Sequence, residues 1–116
     1  YIETLLPTVP DGFVMGEPEV FEDSGTGCIE YWVGYYSGDK IIAFSAVEQD
    51  DDAMSKYQKD EQDVKVININ GQIFYTFMNN NNATAAWKIS TLECFITTNL
   101  SLDELTNIIL LSYGET

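Results

Sequence analysis

Histidine and arginine are absent from this chain of 116 residues, and lysine occurs only five times. Without histidine the chain lacks the usual general base near neutral pH, the commonest metal ligand and the usual pH switch. Nineteen acidic residues set against those five lysines give a net charge of −14. A surface of that sign repels phosphate backbones and anionic headgroups, which argues against nucleic acid as a partner and against direct adsorption to a membrane. Its plainest role is solubility. No run of about eighteen apolar residues occurs, so none of these residues forms a helix that spans a bilayer. The first residue is Tyr1 rather than methionine. The expectation is an upstream portion carrying any targeting segment, and nothing about compartment follows from the lack of a signal peptide.

Hydrophobic residues make up 45% of the chain, enough for one domain over residues 1–116 with a real core. The last third carries the clearest pattern. Ser101 is a helix N-cap and Glu104 completes a capping box, with Leu100 and Leu105 as a hydrophobic staple. Asp103 and Glu104 add negative charge at the positive end of the helix dipole. Leu102, Leu105 and Ile109 share one stripe with Ile108 at its border. Leu110 and Leu111 fall off that stripe, so the last turn must meet Leu5 and Leu6 or a partner chain, and self-association through Leu110 and Leu111 is one outcome. Gly114 is the expected stop.

Upstream of the helix the signals are those of antiparallel sheet. Residues 1–12, with two prolines and Asp11-Gly12, predict an extended lead-in segment ending in a turn. Phe13 to Met15 and Val20 to Phe21 predict a broken edge strand, interrupted at Gly16 and Pro18. Residues 28–37 and 40–48 flank Gly38-Asp39, a two-residue hairpin signal that aligns Tyr35 with Ile42, Val33 with Phe44 and Tyr31 with Ala46 on a core face. Tyr36 with Ile41, Trp32 with Ser45 and Glu30 with Val47 then share the other face. Asn70-Gly71 predicts a second hairpin with Val66 opposite Tyr75 on one face and Ile67 opposite Phe74 on the other. Asn79 to Asn82 are expected to form a loop. A last hairpin about Ser90-Thr91 aligns Trp87 with Cys94 and Ala85 with Ile96 on the core face, with Lys88 and Glu93 paired outside. The predicted architecture is an α+β domain: an antiparallel meander of about six or seven strands covered on one face by a single C-terminal helix.

The order of these signals resembles a bacterial domain-of-unknown-function family, numbered forty-three sixty-seven. The matching pieces are Leu6-Pro7 with Pro10-Asp11-Gly12-Phe13, the aromatic strand around Tyr31, the strand from Ile41 to Val47, Val66 leading to Ile69-Asn70-Gly71, Trp87, and Asn99 to Leu105. The resemblance covers nearly the whole chain. It implies the extracytoplasmic, C-terminal part of a membrane-anchored protein of Gram-positive bacteria, some members having anti-sigma-factor-like or regulatory N-terminal regions. It implies no catalytic residue. Two features depart from the family: Ser90-Thr91 stands where the family places a turn with Asp or Gly, and the runs Glu48 to Asp52 and Asn79 to Asn82 have no counterpart.

Candidate chemistry is sparse. Pleat counting places Cys94 on the helix-covered face beside Trp87 and Cys28 on the opposite face with Trp32. A disulfide needs Cα atoms within about 7 Å, so two separate thiols are expected. Neither has a histidine partner to make it a nucleophile. The run Glu48 to Asp52 invites a calcium reading, but counting from Asp50 the glycine position of an EF-hand loop is Ser55, so a solvated loop is expected and no metal or cofactor is implied. Asn82-Ala83-Thr84 and Asn99-Leu100-Ser101 match the glycosylation sequon, a pattern common by chance. Among the carboxylates, Glu30 alone is set inside an aromatic strand, where a solvent-facing position is the plain reading.

The mixed face predicted to carry Trp32, Tyr36, Ile41, Ile67 and Phe74 is the candidate binding site. Two readings stand: a groove for a protein, a peptide or a cell-wall ligand, or a second small core under the lead-in segment and the acidic loop. The leading functional expectation is a non-enzymatic extracytoplasmic interaction or sensory domain, soluble in itself and tethered by a segment outside these residues. A hydrolase using two carboxylates in a cleft on the mixed face, and a structural or oligomerisation spacer, are the alternatives.

Overall fold

Each predicted hairpin forms in the register its turn residues dictate. The fold is a computed structural model that describes residues 2–22, 25, 28–48 and 64–114. Strands β3 (Ile29–Ser37) and β4 (Lys40–Glu48) pair across Gly38, whose φ of 61° suits a two-residue turn, and align Tyr35 with Ile42, Val33 with Phe44 and Tyr31 with Ala46. β5 (Lys65–Ile69) and β6 (Gln72–Asn79) join through Asn70 and Gly71, at φ 53° and 90°. The Asn68 side chain accepts the Gly71 N–H at 2.9 Å and fixes that turn. β7 (Asn82–Ile89) and β8 (Leu92–Thr98) pair Trp87 with Cys94 and Ala85 with Ile96.

The four asparagines expected to form a loop are instead a two-residue turn. Asn79 pairs with Asn82, and Asn80 and Asn81 both take left-handed backbone at φ 54° and 68°. Asparagine tolerates that region better than any residue but glycine. The tight turn also sets which face each residue of β6 occupies. Tyr75 lies opposite Ala86 and Phe77 opposite Thr84, so Phe74 and Ile67 fall on the helix-covered face with Trp87, not on the face of Trp32.

The last turn carries backbone strain at Ser90. Ser90 holds φ 57°, a region that costs a side-chain-bearing residue about 1 kcal/mol or more. Ser90→Gly is therefore expected to raise stability by roughly 0.5–1 kcal/mol, read as a higher urea midpoint at unchanged slope.

Strand order is β1-β3-β4-β8-β7-β6-β5, with β1 (Val14–Met15) and β2 (Glu19–Glu22) both paired to β3. Counted as one broken strand, β1 and β2 bring the sheet to the predicted seven. All pairings are antiparallel. A simple meander fails at one step, because β4 pairs with β8 and the chain reaches β5 at the far edge before winding back. The acidic run beyond Glu48, with its calcium reading, lies outside the described residues.

Helix α1 (Leu102–Tyr113) begins as its sequence dictates. The Glu104 N–H donates to Ser101 Oγ at 3.1 Å, and the Ser101 N–H donates to Glu104 Oε1 at 2.9 Å. Those hydrogen bonds hold the Glu104 carboxyl below the ordinary carboxylate range. Its contribution is therefore complete above the unfolded value and fades as pH falls through the lowered one. The helix packs on β6 and β7, burying Leu105, Ile108 and Ile109. Gly114 donates to the Leu110 carbonyl in extended rather than left-handed backbone, and a Cβ there would collide with that same oxygen.

The lead-in segment runs along the helix-covered face, not over the opposite one. Its first residues coil as a 3-10 turn, Ile2–Leu5, rather than lying extended. Leu5, Leu6, Val9 and Phe13 pack on the main core. The Tyr113 hydroxyl donates to the Leu5 carbonyl at 2.7 Å, and the Thr8 N–H donates to Ser112 Oγ at 2.7 Å. Leu110 and Leu111 stay outside this clasp and are exposed. Among the described residues no helix is long and apolar enough to cross a membrane.

Candidate functional site

On the face away from the helix, the row from Trp32 to Tyr36 is organised by Gly34. A Cβ built there would lie 2.9 Å from the Trp32 ring, 2.8 Å from Tyr36 Cζ and 2.5 Å from Tyr36 Oη. The two rings lean over the glycine from either side and bury it, as aromatics do over a bare position in a sheet. Across the strand Tyr36 faces Ile41, and on the other side it faces Val14. Gly16 completes the floor: its N–H donates to the Gly34 carbonyl at 2.7 Å, and a Cβ there would lie 2.9 Å from the Tyr36 ring.

Beyond Gly16 the edge strand slips by one residue. Val14 pairs with Tyr36 and Met15 with Tyr35, whereas Glu19 pairs with Trp32 and Phe21 with Glu30. The extra residue is a bulge at Glu17 and Pro18, which explains why the edge strand reads as broken. The resulting strip carries Tyr36 at 44% exposure, Phe21 at 50% and Val14 at 69%, with Trp32 and Ile41 half-buried. Glu19 lies beside Trp32 on the same face, and Glu30 beside Phe21.

The structure thus keeps Trp32, Tyr36 and Ile41 together and removes Ile67 and Phe74 from the predicted site. Phe74 is 1% exposed, with its ring 4.9 Å from Trp87 and 5.6 Å from Tyr113. Val14, Phe21, Gly16 and Gly34 join the strip. Gly34 had a signal, since it sits two residues from each aromatic in Trp32-Val-Gly-Tyr-Tyr36; Phe21 did not, because its register depends on the bulge.

A second small core does form on this face, but further along the sheet and away from the lead-in segment. It comprises Val47, Phe77, Ala86 and Phe95, with Val64 against them. Glu93, expected outside, is buried at 8% exposure between Val47 and Lys88 in the pairing. The reason is that Val47 and Phe95 flank it in an apolar row of the sheet. Glu30 and Glu93 both lie opposite Val47 on its two sides, yet burial of Glu93 leaves almost no carboxylate surface to meet a substrate.

Both sequons are absorbed by the fold. Thr84 is 1% exposed. The Asn99 side chain accepts the Ile41 N–H at 3.0 Å and donates to the Asp39 carbonyl at 2.8 Å, extending the pairing of β4 and β8 by one step. Among the described residues, no three histidine, cysteine, aspartate or glutamate side chains come together as metal ligands.

Cys28 and Cys94 form no disulfide; Cys28 is half-buried just before β3, and Cys94 is fully buried opposite Trp87. Burial, and secondarily the Glu93 charge, push Cys94 up to about 12. Burial also raises Tyr113, helped by Cys94 and Tyr35, and raises Tyr35, helped by Tyr31. An aromatic disulfide reagent at neutral pH is expected to modify Cys28 in the native protein, and Cys94 only after unfolding. Rapid reaction of both thiols in the native state would contradict the burial of Cys94.

No curated protein and no solved structure matches this chain. A family model does match, over residues 4–110, and it spans the lead-in segment, the bulged edge, all the hairpins and most of the helix. The chain belongs to the family described as a domain of unknown function (DUF4367).

Proposed function

We propose that this is a non-enzymatic interaction or sensory domain, carried outside the cytoplasm by a membrane-anchored bacterial protein, and that it binds a protein partner through the strip of Trp32, Tyr36 and Ile41. One observation carries the binding part: Tyr36, Phe21 and Val14 leave large apolar surfaces exposed on one strip beside Trp32 and Ile41. Exposed aromatics grouped over a rigid sheet suit a docking surface, because they offer area at little entropic cost. The location is supported by what the resemblance implies. Hydrolysis by paired carboxylates is the weaker reading, because the best-placed pair, Glu30 and Glu93, has one member buried.

The test is a screen of the pure domain against envelope proteins, peptides and cell-wall fragments, followed by the double variant Trp32→Ala with Tyr36→Ala. A binder that the double variant loses, at unchanged thermal midpoint, supports the proposal. A binder indifferent to those residues, or no binder across the panel, counts against it.

A further inference from the structure

The geometry points to a lysine- or arginine-rich segment of a partner protein as the occupant of this strip, an inference that rests on the strip's being the binding face. The described residues between Phe13 and Ser37, which include β1, β2 and β3, contain Glu17, Glu19, Glu22 and Glu30 and no basic residue. Lysines among the described residues stand elsewhere: Lys40 opens β4 near Glu104, Lys65 is on β5 and Lys88 is on β7. The strip is thus an aromatic surface in a local field of one sign. Glu19 stands directly beside Trp32 and Glu30 beside Phe21 on this face, and Glu17 is exposed in the bulge between β1 and β2, whereas Glu22 pairs with Ile29 and belongs to the other face.

Such a surface selects its occupant in two ways. The ring faces of Trp32 and Tyr36 attract a guanidinium or ammonium group, and the carboxylates add Coulomb attraction. The methylene stems of arginine and lysine meanwhile cover apolar surface such as Phe21, Val14 and Ile41. An acidic segment meets the same carboxylates as repulsion. A second copy of this chain would bring a net charge of −14 against an equal charge, which disfavours self-association through this face. Adding a strand along the edge is also disfavoured, since the bulge and Pro18 interrupt the row of backbone donors. The occupant therefore lies across the side chains of β1 to β4.

The probes are three peptides of about ten residues, in which valine alternates with lysine, with serine or with glutamate; at about 3.3 Å per residue each exceeds the width of the three strands formed by the β1–β2 edge, β3 and β4. Affinity is measured by titration, and the contact is mapped by amide chemical shifts of the domain. The lysine peptide is expected to bind with shifts confined to β1 to β4. Its affinity falls several-fold in the variant Glu17→Gln with Glu19→Gln, and several-fold between low and high salt. The double variant Trp32→Ala with Tyr36→Ala abolishes it. Should that variant unfold, the Glu17→Gln, Glu19→Gln variant, altered only at exposed positions, gives the decision. Equal binding of the serine peptide at the same residues overturns the basic occupant and leaves the binding face standing. Shifts scattered over the whole acidic surface, or no binding of any peptide, overturn both.

Discussion

Trp87→Ala is expected to lower stability by about 3–5 kcal/mol, the range for emptying a large buried aromatic site. Trp87 is 3% exposed and sits at the centre of an aromatic cluster, with ring centroids of Phe74 at 4.9 Å, Tyr113 at 5.1 Å and Phe44 at 6.3 Å. Those three rings come from β6, the end of α1 and β4. Truncation therefore removes contact with two sheet segments and the helix at once, and a sheet held by hairpin registers cannot collapse to fill the space. Domains of this size have total stabilities of about 5–15 kcal/mol, so the loss would leave the variant marginal. Urea unfolding followed by far-ultraviolet circular dichroism is the measurement. A loss below about 1.5 kcal/mol would mean that Trp87 is not the hub of the core.

Leu105→Ala is the second large effect, expected at about 2–5 kcal/mol. Leu105 is fully buried in the first turn of the helix, one residue past the capping box. The cap fixes where the helix starts, but a twelve-residue helix has little stability of its own in water. Burial of Leu105, Ile108 and Ile109 is what holds it on the sheet. Leu111→Ala, at a position 67% exposed on the same helix, should change stability by less than about 0.5 kcal/mol. Equal losses at Leu105 and Leu111 would show that the helix docks through another face.

The fold was legible wherever a turn announced itself. Gly38-Asp39, Asn70-Gly71 and Ser90-Thr91 each specify a two-residue hairpin, and alternation along the strands then fixes every facing pair. The face of β6 was missed for the same reason in reverse. Asn79 to Asn82 hide a two-residue turn inside a four-residue polar run, and only that turn ties β6 to β7. Ile67 and Phe74 consequently exchanged faces, and two of the five predicted site residues belong to the core. Trp32, Tyr36 and Ile41 share the expected face because their hairpin specifies its register unambiguously. Phe21 and Val14 could not be placed, since a one-residue bulge at an edge shifts register without a periodic signal. Pairing of β4 with β8 was equally hidden, because no local pattern tells which strand a returning chain will join.

The separation of two faces, one closed around Trp87 and one open at Trp32, is the claim on which the proposed function stands. The chain has just these two tryptophans, so Trp32→Phe leaves Trp87 as the single reporter, and acrylamide quenching of its emission is the direct measurement. The account predicts blue-shifted emission from the native variant that is nearly unquenched until the protein unfolds, while the parent keeps an additional, more quenchable component from half-buried Trp32. Ready quenching of Trp87 in the native state, or no loss of quenchable emission when Trp32 is removed, would contradict it.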